Sequence, residues 1–356
     1  GLKASWEGYV NYTDHQATRR AQALSQNAQW FEDHSPVDAR FKKPLCRGVS
    51  AKVINAAILG GDLYPSSAIG INLPNSNWVR AEHGSKSVTI ANLTHAYDEA
   101  ARGNGFRNEF ADSAQTVSMM DRYGSVCDDL HTDLHECLGH GSGRLLPGVD
   151  PDALKAYGST IEEARADLFG LYYLADEKLV ELGLTPCQEA YKAQYYSYMM
   201  NGLLTQMVRI QPGHQIEEAH MRNRALIARW TLEHYPQAVR LSEQDGKHYV
   251  EILDYPLLRT AFGNLLAEIQ RIKSEGDLQA ARQMVERYGV QIDAKLHQEV
   301  LERYSKLNLA PYKGFINPRY TPVCDPEGRI TDVHIDYLET YDEQMLRYSK
   351  QYNTLI

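Results

Sequence analysis

Residues 131–143 read HTDLHECLGHGSG. Val126, Leu130, Leu134 and Leu138 recur at every fourth position into this stretch, which predicts a buried helix. Asp128 and Asp129 are expected near its start, where the helix dipole favours negative charge. His131, His135, His140 and Glu136 share this apolar helix. Their burial is costly unless something satisfies them, and a bound metal ion would do so.

The stretch resembles the helix of the zincin peptidases, in which two His ligands and a Glu base follow the pattern H-E-x-x-H. It departs from that pattern by one residue, reading His135-Glu136-Cys137-Leu138-Gly139-His140. At about 100° per residue, a spacing of four leaves two side chains roughly 40° apart, and a spacing of five about 140°. His135 and His140 can then reach one ion only through a wide, π-type turn. Gly139 stands where backbone freedom would help such a turn. His131 with His135, at the regular spacing of four, is the alternative pair.

A metal centre needs a further ligand, and STIEEARADLFGLYYL (residues 159–174) offers one. Ser159 or Thr160, with Glu162 or Glu163 three residues on, reads as a capping box. Ile161, Ala164, Leu168, Leu171, Tyr172 and Ala175 mark a buried stripe. Glu163 and Asp167 are four apart, so they share one face of this second helix. One carboxylate could bind the ion while the other accepts a hydrogen bond from a ligating imidazole.

Outward from these helices, residues 14–32 read as a helix closing at Asp33-His34-Ser35-Pro36. Residues 41–93 are punctuated by Gly60, Gly61, Pro65, Gly70 and Pro74, and SVTIANL reads as a strand or a helix entry. Most segments over 94–307 read as helices. In the tail, RYTPVC and RITDVHIDYL flank Asp325-Pro326-Glu327-Gly328 as a β-hairpin. The expected fold is mainly α: a helical zinc-binding catalytic domain with smaller β-rich segments from a second lobe. The expected division is an N-terminal segment and helix over 1–45, a β-rich substrate-binding segment over 46–93, the helical domain over 94–312, and a hairpin and helix over 313–356.

With 43% hydrophobic residues in 356, the chain has ample material for a core. No run approaches the about 20 apolar residues that span a bilayer, so no membrane partner is expected. A net charge of −9 argues against a nucleic-acid partner. Five cysteines without a CxxC pair predict reduced, mostly buried thiols and a cytoplasmic setting. The opening GLKASWEGYV has neither Met nor a charged-then-apolar leader, and reads as a start inside a longer chain.

HECLGH followed by EEARAD resembles the paired signature of the dipeptidyl peptidase III family, H-E-x-x-G-H and E-E-x-R-A-[ED]. SWEGYV at 5–10, GINLPN at 70–75 and AHMRNR at 219–224 are similar to further family segments, in the family's order. The resemblance implies that His135, His140 and Glu163 bind one Zn²⁺. Glu136 would act as general base, with Glu162 and Asp167 as partners of the ligating histidines. It further implies that His220 helps stabilise the tetrahedral intermediate and that Arg224 contacts the peptide. Asn72 and Asn75 would lie near the substrate's free N-terminus, in a β-rich segment that receives an oligopeptide as an added strand. The activity implied is release of dipeptides from oligopeptide N-termini, with an upstream lobe of the same full-length protein as partner. The family's Tyr and Glu that lie upstream of E-G-[FY]-V have no counterpart among residues 1–6, so this portion is expected to bind zinc yet hydrolyse poorly.

Plainer readings stand beside these. His131 would be a polar neighbour satisfied by hydrogen bonds, Cys137 a small apolar filler, and the tyrosines of AQYYSYMMNG core packing. Asn72 and Asn75 could be turn residues around Pro74. A zinc-stabilised peptide-binding domain without catalysis is the alternative function, against which Glu136 argues. A di-iron bundle would need paired E-x-x-H motifs, which the cluster lacks.

Overall fold

The computed structural model describes residues 6–46, 50–65, 70–73, 86–309 and 314–352. Strand β1 (Glu7–Thr13) leads to helices α1 (His15–Gln26) and α2 (Ala28–His34). Asp14 caps α1 by accepting from the Gln16 and Ala17 amides. The helix expected over 14–32 is thus two helices, and the break falls at Asn27, whose side chain turns back to the Ala23 carbonyl.

Strands β2 (Ser50–Gly61), β3 (Gly70–Leu73) and β4 (Lys86–Ile90) join β1 in one sheet of order β1-β2-β4-β3. β1 runs antiparallel to β2, from Glu7↔Gly61 to Thr13↔Ile54 with a bulge at Val10/Asn11. β4 is parallel to β2 and antiparallel to β3, which leaves β3 at an edge among the described residues. SVTIANL is both strand and helix entry, because α3 (Ala91–Ala101) follows β4 directly.

The helical body comprises α4 (Ala114–Leu134), α5 (Gly158–Leu174), α6 (Tyr191–Leu203), α7 (Ala219–His234), α8 (Tyr255–Glu275) and α9 (Ala294–Lys306), with shorter turns between them. Ser113 caps α4, and Asp254 with Pro256 opens α8, which ends at left-handed Gly276. A hairpin of β5 (Val239–Gln244) and β6 (Lys247–Ile252) interrupts the helices. Its signal was the dipeptide Asp245-Gly246, whose φ angles of 52° and 72° make the two-residue turn that strand twist favours. β7 (Arg319–Cys324) and β8 (Ile330–Asp336) form the hairpin expected in the tail, followed by α10 (Tyr341–Tyr352).

The main core is shared by α1, α2, α4–α8 and β5–β6. A smaller apolar cluster of Ile54, Ala56, Leu59, Ile90, Leu93 and Phe315 lies under the four-stranded sheet. Asn317 ties the tail to it by bonding both the N–H and the C=O of Leu59, at 2.8 and 3.0 Å. The five cysteines are free; Cys46, Cys127 and Cys137 are buried and Cys324 is exposed. Among the described residues no helix is long and apolar enough to cross a membrane.

Candidate metal centre

α4 runs 21 residues and continues directly into a π turn over His135–Gly139. The His140 amide donates to the His135 carbonyl at 3.0 Å, the i to i+5 bond that a five-residue spacing demands. The extra residue brings both imidazoles to one side, with ring centroids 4.7 Å apart and planes at 90°. Gly139 is not there for a left-handed backbone. A Cβ on it would stand 2.8 Å from Ala166 Cα, so it lets the π turn lie directly against α5.

Two further local expectations are corrected. Asp128 and Asp129 lie in the last turns of α4 rather than its first, because the helix begins at Ala114. Burial there raises both carboxyls, Asp129 to about 6, with Arg20 pulling the latter back down from 3.5 Å. The capping box at Ser159 or Thr160 does not form. A 3-10 turn at Lys155–Tyr157 feeds straight into α5, so both residues already lie inside the helix, and the side chain of its N-cap, Tyr157, bonds Glu286 rather than the helix's own amides.

α5 presents Glu162, Glu163 and Asp167 to the two imidazoles. Asp167 Oδ1 meets His135 Nδ1 at 2.7 Å, and Glu162 Oε1 meets His140 Nδ1 at 2.8 Å. Each contact assigns the ring proton to Nδ1 and turns Nε2 toward the space between the helices. There, Glu163 Oε2 lies 3.3 Å from His135 Nε2, 3.9 Å from His140 Nε2 and 3.5 Å from His220 Nδ1. This oxygen is buried and accepts no hydrogen bond. Glu136 joins the group, since His135, Glu136 and His140 place ligand atoms within 4.8 Å of one another.

These groups fit a zinc ion. Bonds of about 2.0–2.2 Å in a tetrahedron put ligand atoms roughly 3.3–3.5 Å apart, close to the separations around Glu163 Oε2. An orphaned buried carboxylate oxygen facing two imidazole nitrogens is where a cation belongs. The surroundings also demand positive charge. Burial by itself lowers His135, but the Asp167, Glu163 and Glu136 carboxylates outweigh it and lift it to about 10. Burial works to raise Glu163, yet the three histidines hold its carboxyl below the ordinary value.

Glu162 is anchored more heavily than its helix position suggested. Arg165 bonds its Oε1 and Oε2 at 2.7 and 3.0 Å, and Lys273 of α8 also donates to Oε2. Against the upward push of burial, Arg165, Lys273 and His140 keep Glu162 well below the usual carboxylate range. The fully buried Arg165 also holds the Ser142 carbonyl and hydroxyl, at 3.0 and 2.7 Å, which fixes the chain just after His140. Sequence reading missed these roles. Arg165 could have been found from its spacing three after Glu162, whereas nothing local pointed to Lys273.

His131 does not face this centre. Its Nε2 meets the Asp167 carbonyl at 3.2 Å and its Nδ1 meets Gln194 Nε2 at 3.1 Å, so both ring nitrogens are used. Burial lowers its pKa. Cys137 is buried and its thiol is pushed well above the usual value by burial, so it packs as an apolar residue.

α7 brings His220 and Arg224 to the same place, its first turn fixed by Glu218 accepting from the His220 and Met221 amides at 2.9 Å. With Glu136, His140, Glu163 and Lys273 they line a cavity of about 1100 Å³ that reaches Gly70 of the edge strand β3. Asn72 lies on β3 opposite Ser87. Asn75 lies outside the described residues. A second cavity of about 600 Å³, between Pro212 and α9, gathers no comparable set of groups.

Known proteins resemble the chain in sequence and in fold. The chain is 26% identical to "Nudix hydrolase 3" of Arabidopsis thaliana over 81% of its own length and 36% of that protein. It is 26% identical to "Dipeptidyl peptidase 3" of Dictyostelium discoideum over 56% of its own length and 32% of that protein. The chain therefore spans about a third of the length of these curated relatives. The solved structure of DPP III from Caldithrix abyssi shares the fold, with a TM-score of 0.69 and 22% identity over 85% of this chain and 55% of that one. The pattern of Peptidase family M49 matches residues 1–156 and 151–308, most of the chain and both motifs that build the centre, so the chain belongs to peptidase family M49.

Proposed function

We propose that this chain is the zinc-bearing part of a dipeptidyl-peptidase that releases dipeptides from the N-termini of oligopeptides. The observation that carries it is the meeting of His135, His140, Glu163 and Glu136, the last three lining a peptide-sized cavity. His135, His140 and Glu163 would hold the single Zn²⁺ through Nε2, Nε2 and Oε2. Zinc so held supplies Lewis acidity toward water and the scissile carbonyl.

The chain's own groups do the rest. Glu136, which lines the cavity, would take the proton of the attacking water and deliver one to the departing amine nitrogen. His220 donates to the developing oxyanion, a type of contact worth about 3–4 kcal/mol. Asp167 and Glu162 hold the two ligand rings by their Nδ1 protons. Arg224 contacts the peptide, and Asn72 and Asn75 receive its ammonium end. The edge position of β3 supports binding of the substrate as an added strand.

The proposed partners are the oligopeptide and the remaining lobe of the full-length protein, to which segments 46–93 and 313–356 would contribute. The proposed compartment is the cytoplasm. Zinc content and dipeptidyl-naphthylamide hydrolysis, measured for this chain, an N-terminally extended version and Glu136→Ala in each, test the reading. Zinc kept and hydrolysis lost in Glu136→Ala is the expected result. Undiminished hydrolysis in that variant removes the base assignment, and no hydrolysis in any form favours a zinc-stabilised peptide-binding domain.

A further inference from the structure

Asp167 is held from two sides. Its Oδ1 meets His135 Nδ1 at 2.7 Å, while its Oδ2 accepts the Tyr198 hydroxyl of α6, also at 2.7 Å. Both residues are buried, Tyr198 to 5% exposure and Asp167 to 8%. A carboxylate bonded at only one oxygen can swing about its terminal torsion, which is broad and roughly two-fold. With both oxygens engaged from different helices, Oδ1 stays aimed at His135. His131 supports the pair, packing edge-on against Tyr198 with centroids 5.7 Å apart and meeting the Asp167 carbonyl. Gln194, one turn before Tyr198 on α6, fixes His131 in turn and bonds Asp128 at 3.0 Å.

We propose that Tyr198 is a positioning residue of the metal centre, holding Asp167 so that His135 keeps its proton on Nδ1 and its Nε2 lone pair toward the ion. This rests on the reading of His135 as a ligand. A merely space-filling hydroxyl is the competing account, and α6 supplies its control. Tyr195 is fully buried and donates to the Leu171 carbonyl of the same helix α5 at 2.7 Å, a backbone acceptor rather than a carboxylate.

The test is zinc affinity of the full chain, by competition with a chromophoric chelator at fixed pH. The variants are Tyr198→Phe, Tyr195→Phe, Asp167→Asn and the double variant Tyr198→Phe/Asp167→Asn. Loss of a group that orients a ligand from behind weakens metal binding about 10- to 100-fold, and that is the expected effect of Tyr198→Phe. Tyr195→Phe should stay within about twofold of wild type, and Tyr198→Phe should add less than about twofold once Asp167 is Asn. Affinity unchanged in Tyr198→Phe, an equal loss in Tyr195→Phe, or losses that multiply in the double variant would each overturn the proposal while leaving His135 a ligand. A wild-type chain that takes up no zinc overturns the ligand reading itself, and this inference with it.

Discussion

Replacing Gly139 by Ala tests why a glycine stands inside the π turn. The added Cβ would lie 2.8, 2.9 and 3.0 Å from Ala166 Cα, O and Cβ, where ordinary contact begins at 3.4 Å. Two of these neighbours are backbone, so α5 must shift bodily away from the turn by roughly 0.6 Å to relieve the overlap. Overpacking of this kind costs about 2–3 kcal/mol, and the better helix propensity of Ala returns about 1. The net expectation is a loss of about 1–2 kcal/mol in urea unfolding of the metal-free chain. The same shift moves Glu163, one turn before Ala166, away from His135 and His140 at the two ends of the turn. Zinc affinity by chelator competition should therefore fall at least about tenfold. Gly139 is not among the glycines with positive φ, so backbone freedom predicts no such penalty. An Ala variant as stable as wild type, with zinc affinity intact, would refute the close-approach argument.

Glu136→Gln should retain stoichiometric zinc in elemental analysis while hydrolysis by any active form falls about 10²- to 10⁴-fold. Zinc at 100 times its dissociation constant should stabilise the folded chain by about 2.7 kcal/mol, read as a rise in melting temperature that a chelator reverses. Arg303, only 3% exposed, holds Glu109 at 2.9 Å and Glu299 at 3.0 Å; Arg303→Met should cost about 1.5–3 kcal/mol by removing its charged hydrogen bonds, with Lys247 still on Glu109 and His248 on Glu299. Burial works to raise Glu109 and Glu299, but Lys247 and Arg303 lower the first, and His248 and Arg303 the second. Folded values below the unfolded ones give stability that is complete above about pH 4.3 and lost as pH falls through the depressed values. Melting curves between pH 6 and 3 should show that loss in wild type and a flatter profile in Arg303→Met.

The odd step from His135 to His140 pointed to a π turn in the sequence, because helix geometry offers no other way to bring those two rings together, though His131 with His135 remained the alternative pair. The pair Glu163 and Asp167 was likewise legible as one face of the next helix. Apolar periodicity marked α6, α7 and α8, and the turn residues marked the β7–β8 hairpin. Local pattern failed where a tertiary neighbour set the outcome. Ser159 carried the right spacing for a cap, yet a preceding 3-10 turn extended the helix past it. Gly139 was read through its own backbone, while the reason for it lies on Ala166 of another helix.

What the sequence determined by itself was the list of metal-binding candidates and the helices that carry them, since spacing along one helix is a local property. Only the tertiary structure decided how each candidate is held. Tyr198 lies 31 residues from Asp167 and Lys273 lies 111 from Glu162, and neither pairing leaves a periodic trace. It also settled His131, which shares the helix and the chemistry of a ligand but has both nitrogens engaged by groups on α5 and α6. Hydrogen-bond partners are chosen by distance in space, and packing, not the order of residues, sets that distance.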